Sequence, residues 1–249
     1  MINFKLKIIV FSVLIFIMTC IVGTSYLARD LDDSMKLFDF SFSSNYAQKN
    51  VLRDSYISKN YNKVFGINSK VTNSEIACMI FEIENLEYGY DYVFEDTRDN
   101  SYVGIISAVV KEKYMSANDE GMFLPDNYLT RSDFMKITYN IIRNNKFLGI
   151  KKERKYNDNL KDISNSENKN YIIKMYEYGI IDGNNKGNFR PLDFLTKEEA
   201  IVILNRIYGY NKGDFEHVYN LYIDDPYVDI DENYWAFKDI VFATIGLED

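Results

Sequence analysis

Gly179 to Tyr208, GIIDGNNKGNFRPLDFLTKEEAIVILNRIY, is the stretch that decides the fold. It begins with a Gly-Ile-Ile-Asp-Gly turn and continues through a polar loop that ends in Gly-Asn-Phe-Arg-Pro. Thr196 then begins a helix, and Glu199 follows three residues later, which is the capping-box pattern. The next apolar residues fall at i, i+3, i+4 and i+7, and this spacing predicts a helix with one buried face. They are Ala200, Ile203, Leu204 and Ile207.

The same pattern occurs twice more upstream. Thr130 is followed by Asp133 and Thr72 by Glu75, each before apolar residues at the same offsets. A Phe stands seven residues before each Thr, and the Thr positions are 58 and 66 residues apart. Three copies of one two-helix unit predict a repeat architecture.

The repeated motifs resemble those of tandem S-layer homology (SLH) domains. That family's pattern is an aromatic-x-Asp lead, a Trp-Ala helix, a Gly-Ile-Ile-x-Gly turn, a Gly-x-Phe-x-Pro loop and a Thr-Arg-Ala-Glu helix. Here the leads centre on Asp96, Asp162 and Asp229, and Trp-Ala survives at Trp235. Thr-Arg-Ala-Glu becomes Thr-Asn-Ser-Glu, Thr-Arg-Ser-Asp and Thr-Lys-Glu-Glu in the three copies.

The resemblance implies an all-α fold of three helix-loop-helix repeats that form one pseudo-threefold module, with a C-terminal half repeat added. The expected repeats are residues 38–86, the most eroded, 94–143 and 160–208, and the half repeat is 227–247. Lys113 replaces a turn glycine in the second repeat, so we expect a different turn geometry there. The charged connector, residues 144–159, is expected to be a solvated face.

The first 28 residues read as a secretion signal. Lys5 and Lys7 precede an uncharged run of 21 residues, Ile8 to Ala28, and cleavage is expected after Ser25 or Ala28. The run is also long enough to span a bilayer, so an uncleaved signal anchor is the alternative. In both cases the remaining chain is expected outside the cytoplasm, at the cell wall or cell surface.

Charge and cysteine content narrow the function further. A net charge of −8 disfavours nucleic acid as a partner, because phosphates require basic surfaces. Any anionic ligand must then meet a local cationic pocket. Cys78 is the one thiol after residue 28, so no intramolecular disulfide is expected in the exported chain. It lies two residues past Ile76, off the predicted apolar stripe of its helix.

The SLH resemblance implies a set of glycan-binding residues. In that family the Arg of the Thr-Arg-Ala-Glu motif helps to hold an acidic sugar in grooves between repeats, with aromatic support. Arg131 matches that position, Lys197 matches it in part, and Asn73 has no charge there. Trp235 matches the family's Trp and Tyr46 stands in for it in the first repeat. The alternatives are an ordinary solvated charge for Arg131 and Lys197, and core packing between helices for Trp235.

The remaining motifs do not predict catalysis or a cofactor. His217 is the single histidine and has no placed partner, so we expect no enzyme. The loop from Asp182 to Asp193 partly fits a calcium-loop frame, but Lys186 falls where an oxygen ligand belongs, and we expect no metal. The six residues assigned as helix caps have a structural role instead. They are Thr72, Glu75, Thr130, Asp133, Thr196 and Glu199.

The leading functional hypothesis is noncovalent attachment to the cell wall. The resemblance implies binding to an anionic, pyruvylated secondary cell-wall polysaccharide associated with peptidoglycan. The alternative is a structural or protein-interaction module that has lost glycan binding and is held at the membrane by an uncleaved N-terminal segment.

Overall fold

The computed structural model describes residues 64–148, 150–209 and 227–245. They all belong to one compact unit, residues 40–249, and the other unit, residues 1–39, lies outside the described residues. Within the described ranges the chain is helical and has no strand, which confirms the predicted all-α class. No helix there is long and apolar enough to cross a membrane. The predicted signal segment and Tyr46 are outside the described residues.

Six α-helices make up this part of the chain. They are α1 (Asn73–Ile83), α2 (Val103–Lys111), α3 (Arg131–Asn144), α4 (Lys169–Glu177), α5 (Lys197–Ile207) and α6 (Phe237–Ile245). Two short 3-10 helices, Glu95–Thr97 and Lys146–Leu148, complete the regular structure. Each odd-numbered helix begins after a capping Thr and packs against the helix that follows it in the chain. The predicted apolar stripe of α5 is buried.

Three segments that precede the capping threonines are joined in a ring. The amide of Val71 donates to the carbonyl of Leu195 (3.1 Å), Leu195 donates to Leu129 (2.9 Å) and Leu129 donates to Val71 (3.0 Å). Each of the three residues is buried and directly precedes a capping Thr. This ring, which we call the backbone ring, closes cyclically, so each copy donates to one of the other two and accepts from the remaining one.

The first amide of each Thr-capped helix contributes to a second cyclic set of hydrogen bonds, which runs from copy to copy in the opposite direction. Each donates to the carbonyl three residues before the capping Thr of another copy, which satisfies a helix-end donor that has no partner within its own helix. The three bonds are Asn73 to Asn127 (3.0 Å), Arg131 to Asp193 (2.9 Å) and Lys197 to Ser69 (2.8 Å). The order favours the predicted pseudo-threefold module, which stays a prediction.

The C-terminal ends of the same three helices meet at a buried carboxylate. Glu84, at the end of α1, accepts hydrogen bonds from the hydroxyl of Tyr208 and from the Asn145 amide at 3.0 Å. Tyr208 and Asn145 are the C-caps of α5 and α3. Burial and the neighbouring Glu84 raise the pKa of Tyr114. Because a buried carboxylate is costly unless it is hydrogen-bonded, this polar cluster specifies how the three helix ends assemble.

Each lead aspartate fixes a loop through two backbone amides. Asp96 and Asp162 accept from the loop of their own repeat, whereas Asp229 accepts from the loop of the first repeat. The distances are 3.2 and 2.6 Å from Phe123 and Leu124, 2.8 and 2.8 Å from Phe189 and Arg190, and 2.7 and 2.8 Å from Phe65 and Gly66. The predicted half repeat therefore supplies the lead for the first loop.

The turn after α2 differs from our expectation. Lys113 has a φ of +61°, close to the +73° of Gly179 at the corresponding turn after α4. At both turns the amide of this residue donates to the carbonyl three residues earlier, and the next amide donates to the carbonyl five residues earlier. The prediction of a different turn geometry was wrong, because the helix-end hydrogen bonds impose the left-handed conformation and Lys adopts it at a steric cost.

Cys78 also departs from the sequence prediction. It is buried, with 2% of its surface exposed, because α1 is covered on nearly all sides rather than along one stripe. Burial, followed by the charges of Glu82 and Glu75, raises the pKa of its thiol. Cys78 is therefore a small core residue with little thiolate character.

Asp229 should matter to stability as much as the other two lead aspartates. Asp229→Ala removes the carboxylate that accepts hydrogen bonds from two backbone amides of the first loop. The change should lower the unfolding free energy by about 1.5–3 kcal/mol. Urea denaturation of Asp229→Ala beside Asp96→Ala and Asp162→Ala measures this. An Asp229→Ala variant as stable as the parent would contradict the assignment of the C-terminal lead to the first loop.

The same contacts set a pH dependence. Burial alone would raise the pKa of Asp229, but the amides of Phe65 and Gly66 outweigh it and lower that pKa. These hydrogen bonds stabilise the folded chain fully at pH values above the pKa that Asp229 has in the unfolded chain. Their contribution is lost below about pH 4, as the pH falls through the lower pKa of Asp229 in the folded chain. Asp229→Asn should therefore lose less stability than the parent on acidification, as measured by melts between neutral and acidic pH.

Replacing Lys113 by Gly should stabilise the protein. Glycine adopts the left-handed conformation without the steric cost that Lys pays, so the gain should be up to about 1 kcal/mol. Lys136→Gly, at an exposed position inside α3, is the matched control and should destabilise by about 1 kcal/mol. Thermal melts compare the two. A Lys113→Gly variant that loses as much stability as Lys136→Gly would contradict the strain argument.

Candidate functional site

The first residue of each Thr-capped helix reaches the loop of another copy. Arg131 donates from Nε to the carbonyl of Phe189 (2.9 Å), and its guanidinium lies 4.7 Å from the centre of that ring. The ammonium of Lys197 lies 4.5 Å from the ring centre of Phe65. Asn73 donates from Nδ2 to the carbonyl of Leu124 at 2.9 Å. These contacts define three grooves, which we call the Arg131, Lys197 and Asn73 grooves.

The Arg131 groove contains two guanidinium groups. Nη1 of Arg131 lies 2.7 Å from Oε1 of Glu199, and Nη2 of Arg190 lies 3.0 Å from the same oxygen. Nη1 of Arg190 also lies 3.4 Å from Asp193. The side chain of Arg131 is 11% exposed, whereas that of Arg190 is 49% exposed. Arg131 is therefore a buried ion-pair partner, and Arg190 presents most of the accessible positive charge.

Sequence reasoning missed Arg190. It follows the loop Phe, at the position that Gly66 and Leu124 occupy in the other two copies. All three residues have positive φ values, 63° for Arg190, 79° for Gly66 and 58° for Leu124. Arg190 is the charged member of this set, and a comparison of the aligned loops would have revealed it.

The Lys197 groove combines a partly buried cation with a buried carboxylate. Burial lowers the pKa of Lys197, and the nearby charges of Glu75, Asp229 and Glu198 oppose that shift. Glu198 is 1% exposed and accepts from the backbone amide of Asn68 and from the hydroxyl of Tyr234, both at 3.1 Å. Its second oxygen has no hydrogen-bond partner among the described residues. Lys197 is thus not an ordinary solvated charge, which was the alternative to glycan binding that the sequence left open.

Trp235 lies beside the Lys197 groove and not beside Arg131. Its side chain is 58% exposed and its ring centre is 6.0 Å from that of Tyr234, which binds Glu198. The next residue, Ala236, is fully buried. This exposure excludes core packing as the main role of Trp235, and ligand stacking stays a prediction.

The Asn73 groove has no cation at its helix end. Both groups that Asn73 contacts, the carbonyls of Phe123 and Leu124, are backbone acceptors. The neighbouring carboxylate, Asp133, accepts from the side-chain amide of Asn168 at 3.0 Å. The arrangement is neutral to acidic and offers no site for an anion.

The capping residues differ between the three helices. Thr72 with Glu75 and Thr196 with Glu199 form complete capping boxes, in which each hydroxyl and each carboxylate accepts a backbone amide. At Thr130 the hydroxyl accepts the Asp133 amide (3.1 Å), but the Asp133 carboxylate accepts from the Thr130 hydroxyl (2.6 Å). The Asp side chain is one methylene shorter than Glu, so the reciprocal bond to the Thr130 amide is not made.

The connector and the partial calcium frame contact each other. Arg154 lies 3.8 Å from the ring centre of Tyr176, donates to the carbonyl of Ile181 (2.6 Å) and pairs with Asp182 (2.8 Å). The prediction of a solvated connector was therefore wrong for Arg154, which packs against the end of α4. Among the described residues no cluster of three or more metal-ligating side chains occurs. His217 lies outside the described residues.

The helix pairs, the backbone ring and the inter-copy grooves define a protein of tandem helix-loop-helix repeats. A family model described as the S-layer homology domain matches residues 93–135 and 159–201. The chain therefore carries tandem S-layer homology domains, as the motif resemblance predicted. The first predicted repeat and the half repeat lie outside the two matched ranges.

Similar proteins include one named as an anchoring protein and two named as enzymes. A cellulosome-anchoring protein of Acetivibrio thermocellus is 28% identical over 153 residues, 61% of this chain and 32% of that protein. Exoglucanase XynX of Acetivibrio thermocellus is 31% identical over 116 residues, 46% of this chain and 10% of the enzyme. An amylopullulanase of Thermoanaerobacterium thermosulfurigenes is 31% identical over 122 residues, 49% of this chain and 6% of the enzyme.

This chain thus spans a third or less of the length of these relatives. The two enzymes match it through their S-layer homology region. The domain family and the relative named as a cellulosome-anchoring protein indicate a location at the cell wall or cell surface.

The capping threonines should each contribute to stability. Thr72→Ala, Thr130→Ala and Thr196→Ala should each lower the unfolding free energy by about 1 kcal/mol, the usual loss for an N-cap. Thr196→Ser keeps the hydroxyl and should stay near the parent. Thermal melts compare the four variants, and three unchanged Ala variants would show that these residues do not act as caps.

Proposed function

We propose that this protein attaches noncovalently to the cell wall by binding an acidic, pyruvylated secondary polysaccharide. The observation that carries the proposal is the Arg131 groove, where two guanidinium groups meet at the N-terminus of α3. A helix N-terminus favours negative charge, and a guanidinium matches a carboxylate with two parallel donors. The relative named as a cellulosome-anchoring protein supports an anchoring role for the shared domains.

Charge explains why the binding site must be local. The chain carries a net charge of −8, so its overall field repels an anionic polymer. Specific cations in the grooves must overcome this repulsion. Arg190, at 49% side-chain exposure, and Arg131 behind it form the pair that an acidic sugar would meet.

Attachment rather than catalysis is the activity we propose. The matched enzymes share only 10% and 6% of their own lengths with this chain, so their reactions belong to parts that this match does not cover. The grooves of the described residues contain cations, capping carboxylates and aromatic rings, and this chemistry suits the binding of an acidic sugar.

A second candidate is a structural or protein-interaction module without glycan binding. It is favoured by the pairing of Arg131 with Glu199 at 2.7 Å and 11% exposure, because a paired guanidinium is less available to a ligand. The neutral Asn73 groove points the same way. Under this alternative an uncleaved N-terminal segment, outside the described residues, would hold the protein at the membrane.

Sedimentation with wall sacculi distinguishes the two candidates. The purified full-length chain should sediment with intact sacculi and should stay in solution when the secondary polymer has been removed. Equal binding to stripped sacculi would instead favour the interaction module.

Arg131→Ala should weaken wall binding by about 1.5–3 kcal/mol, the range for a hydrogen bond to a charged group. Lys197→Ala should cost less, because an ammonium lacks the planar two-pronged contact, and Asn73→Ala should have almost no effect. Arg131→Lys, which keeps the charge but not the fork, is the matched control and should fall between parent and Ala. An Arg131→Glu variant that binds as well as the parent would exclude the groove.

A further inference from the structure

Three exposed side chains converge on the outer side of the backbone ring. They are Lys70, Tyr128 and Phe194, each two residues before a capping Thr. Isolated antiparallel bridges pair Lys70 with Thr196, Thr72 with Tyr128, and Thr130 with Phe194. Side chains alternate between the two faces of extended backbone, and the intervening Val71, Leu129 and Leu195 are buried. The three flanking side chains therefore point away from the core.

These side chains contact one another and form one patch, which we call the axial triad. The rings of Tyr128 and Phe194 meet edge to face, with centres 5.7 Å apart. The Lys70 ammonium lies 4.3 Å from the Phe194 ring centre and 5.3 Å from that of Tyr128. Tyr128 is 52% exposed and Phe194 44% exposed. Among the described residues no carboxylate forms a salt bridge with Lys70.

The axial triad places two exposed aromatic rings beside an ammonium group, and neither packing of the core nor solvation of the surface requires this arrangement. The backbone ring already fixes the three segments through main-chain hydrogen bonds, so the outward side chains are not needed to hold it. Two half-exposed rings supply flat apolar faces of the kind on which the C–H bonds of a sugar pack. An ammonium without a carboxylate partner, on a chain of net charge −8, supplies charge complementarity to an anion.

We propose that the axial triad is a binding site for an acidic saccharide unit of the wall polymer. The sugar ring would lie against Tyr128 and Phe194, and its carboxylate would pair with the Lys70 ammonium. The site deepens the proposed function and rests on it, since it gives the same polymer a second point of contact. It lies on the ring and shares no residue with the Arg131 or Lys197 groove, so one chain could hold two sugar units of one polymer strand.

Saturation-transfer NMR with defined sugars tests the site directly. The probes are glucuronic acid and a hexose carrying a 4,6-linked pyruvyl ketal, with neutral glucose as the comparison. The purified full-length chain should transfer saturation to both acidic sugars, and Tyr128→Ala and Phe194→Ala should each reduce the transfer. Tyr90→Ala removes a ring that is more exposed than either triad ring, at 71%, and that is not part of the triad, so it should leave the signal unchanged.

Charge is tested separately. Lys70→Gln should weaken binding of the acidic sugars by about tenfold, the effect of losing one charge-assisted hydrogen bond, and should leave the response to glucose unchanged. Lys155→Gln, at an exposed position in the connector, is the matched control. Thermal melts of all variants identify any loss of folding, and the single-site Lys70→Gln change keeps the test valid if a ring variant does not fold.

The outcomes separate this inference from the proposed function. Wall sedimentation and saturation transfer to the acidic sugars that are both unchanged in Lys70→Gln and Tyr128→Ala would overturn the axial site alone, because the Arg131 groove would then account for the binding. Loss of sedimentation on polymer removal, together with a weaker signal in the triad variants, would support both. A triad that captured a wall protein but neither sugar would also overturn the inference.

Discussion

The backbone ring of Val71, Leu129 and Leu195 is the constraint on which the rest of the structure depends. Its three hydrogen bonds, 2.9 to 3.1 Å long, bring the N-termini of α1, α3 and α5 together. Each helix end then receives its missing acceptors from another copy, and the C-terminal ends meet at Glu84. Because α1, α3 and α5 are held at both ends, the loops between them have few possible positions. The contacts that hold the core therefore also fix the grooves between copies.

The assembly of the copies around the ring also depends on contacts between residues that are far apart in the chain. Asp229 accepts from Phe65, 164 residues earlier, and Lys197 donates to Ser69. Such contacts carry a loop-closure entropy that local helix pairs do not. The two hydrogen bonds from the first loop to the C-terminal lead therefore couple the two ends of the described chain.

The sequence predicted local features such as helices and caps, but it did not predict which distant segments contact each other. The i, i+3, i+4, i+7 spacing and the Thr-x-x-Glu pattern predicted α5 and its cap, because both arise within one helix. The association of Asp229 with the first loop is non-local, and neither spacing nor composition encodes it. Lys113 was misjudged for a related reason: helix-end hydrogen bonds impose its positive φ, whereas residue type alone favours Gly. The burial of Glu198 and the position of Arg190 depend on the same assembly of copies.

Glu199 links the cap of α5 to the chemistry of the Arg131 groove. One of its oxygens accepts the Thr196 amide, while the other faces both Arg131 and Arg190. An acidic sugar must compete with Glu199 for these guanidinium groups, so its affinity is the difference between two ion pairs rather than the strength of one. The competition is least severe at Arg190, which is the more exposed partner and keeps more of its donors in solvent. We therefore propose that a carboxylate binds Arg190 first, and that Arg131 follows only if Glu199 gives up part of its pairing.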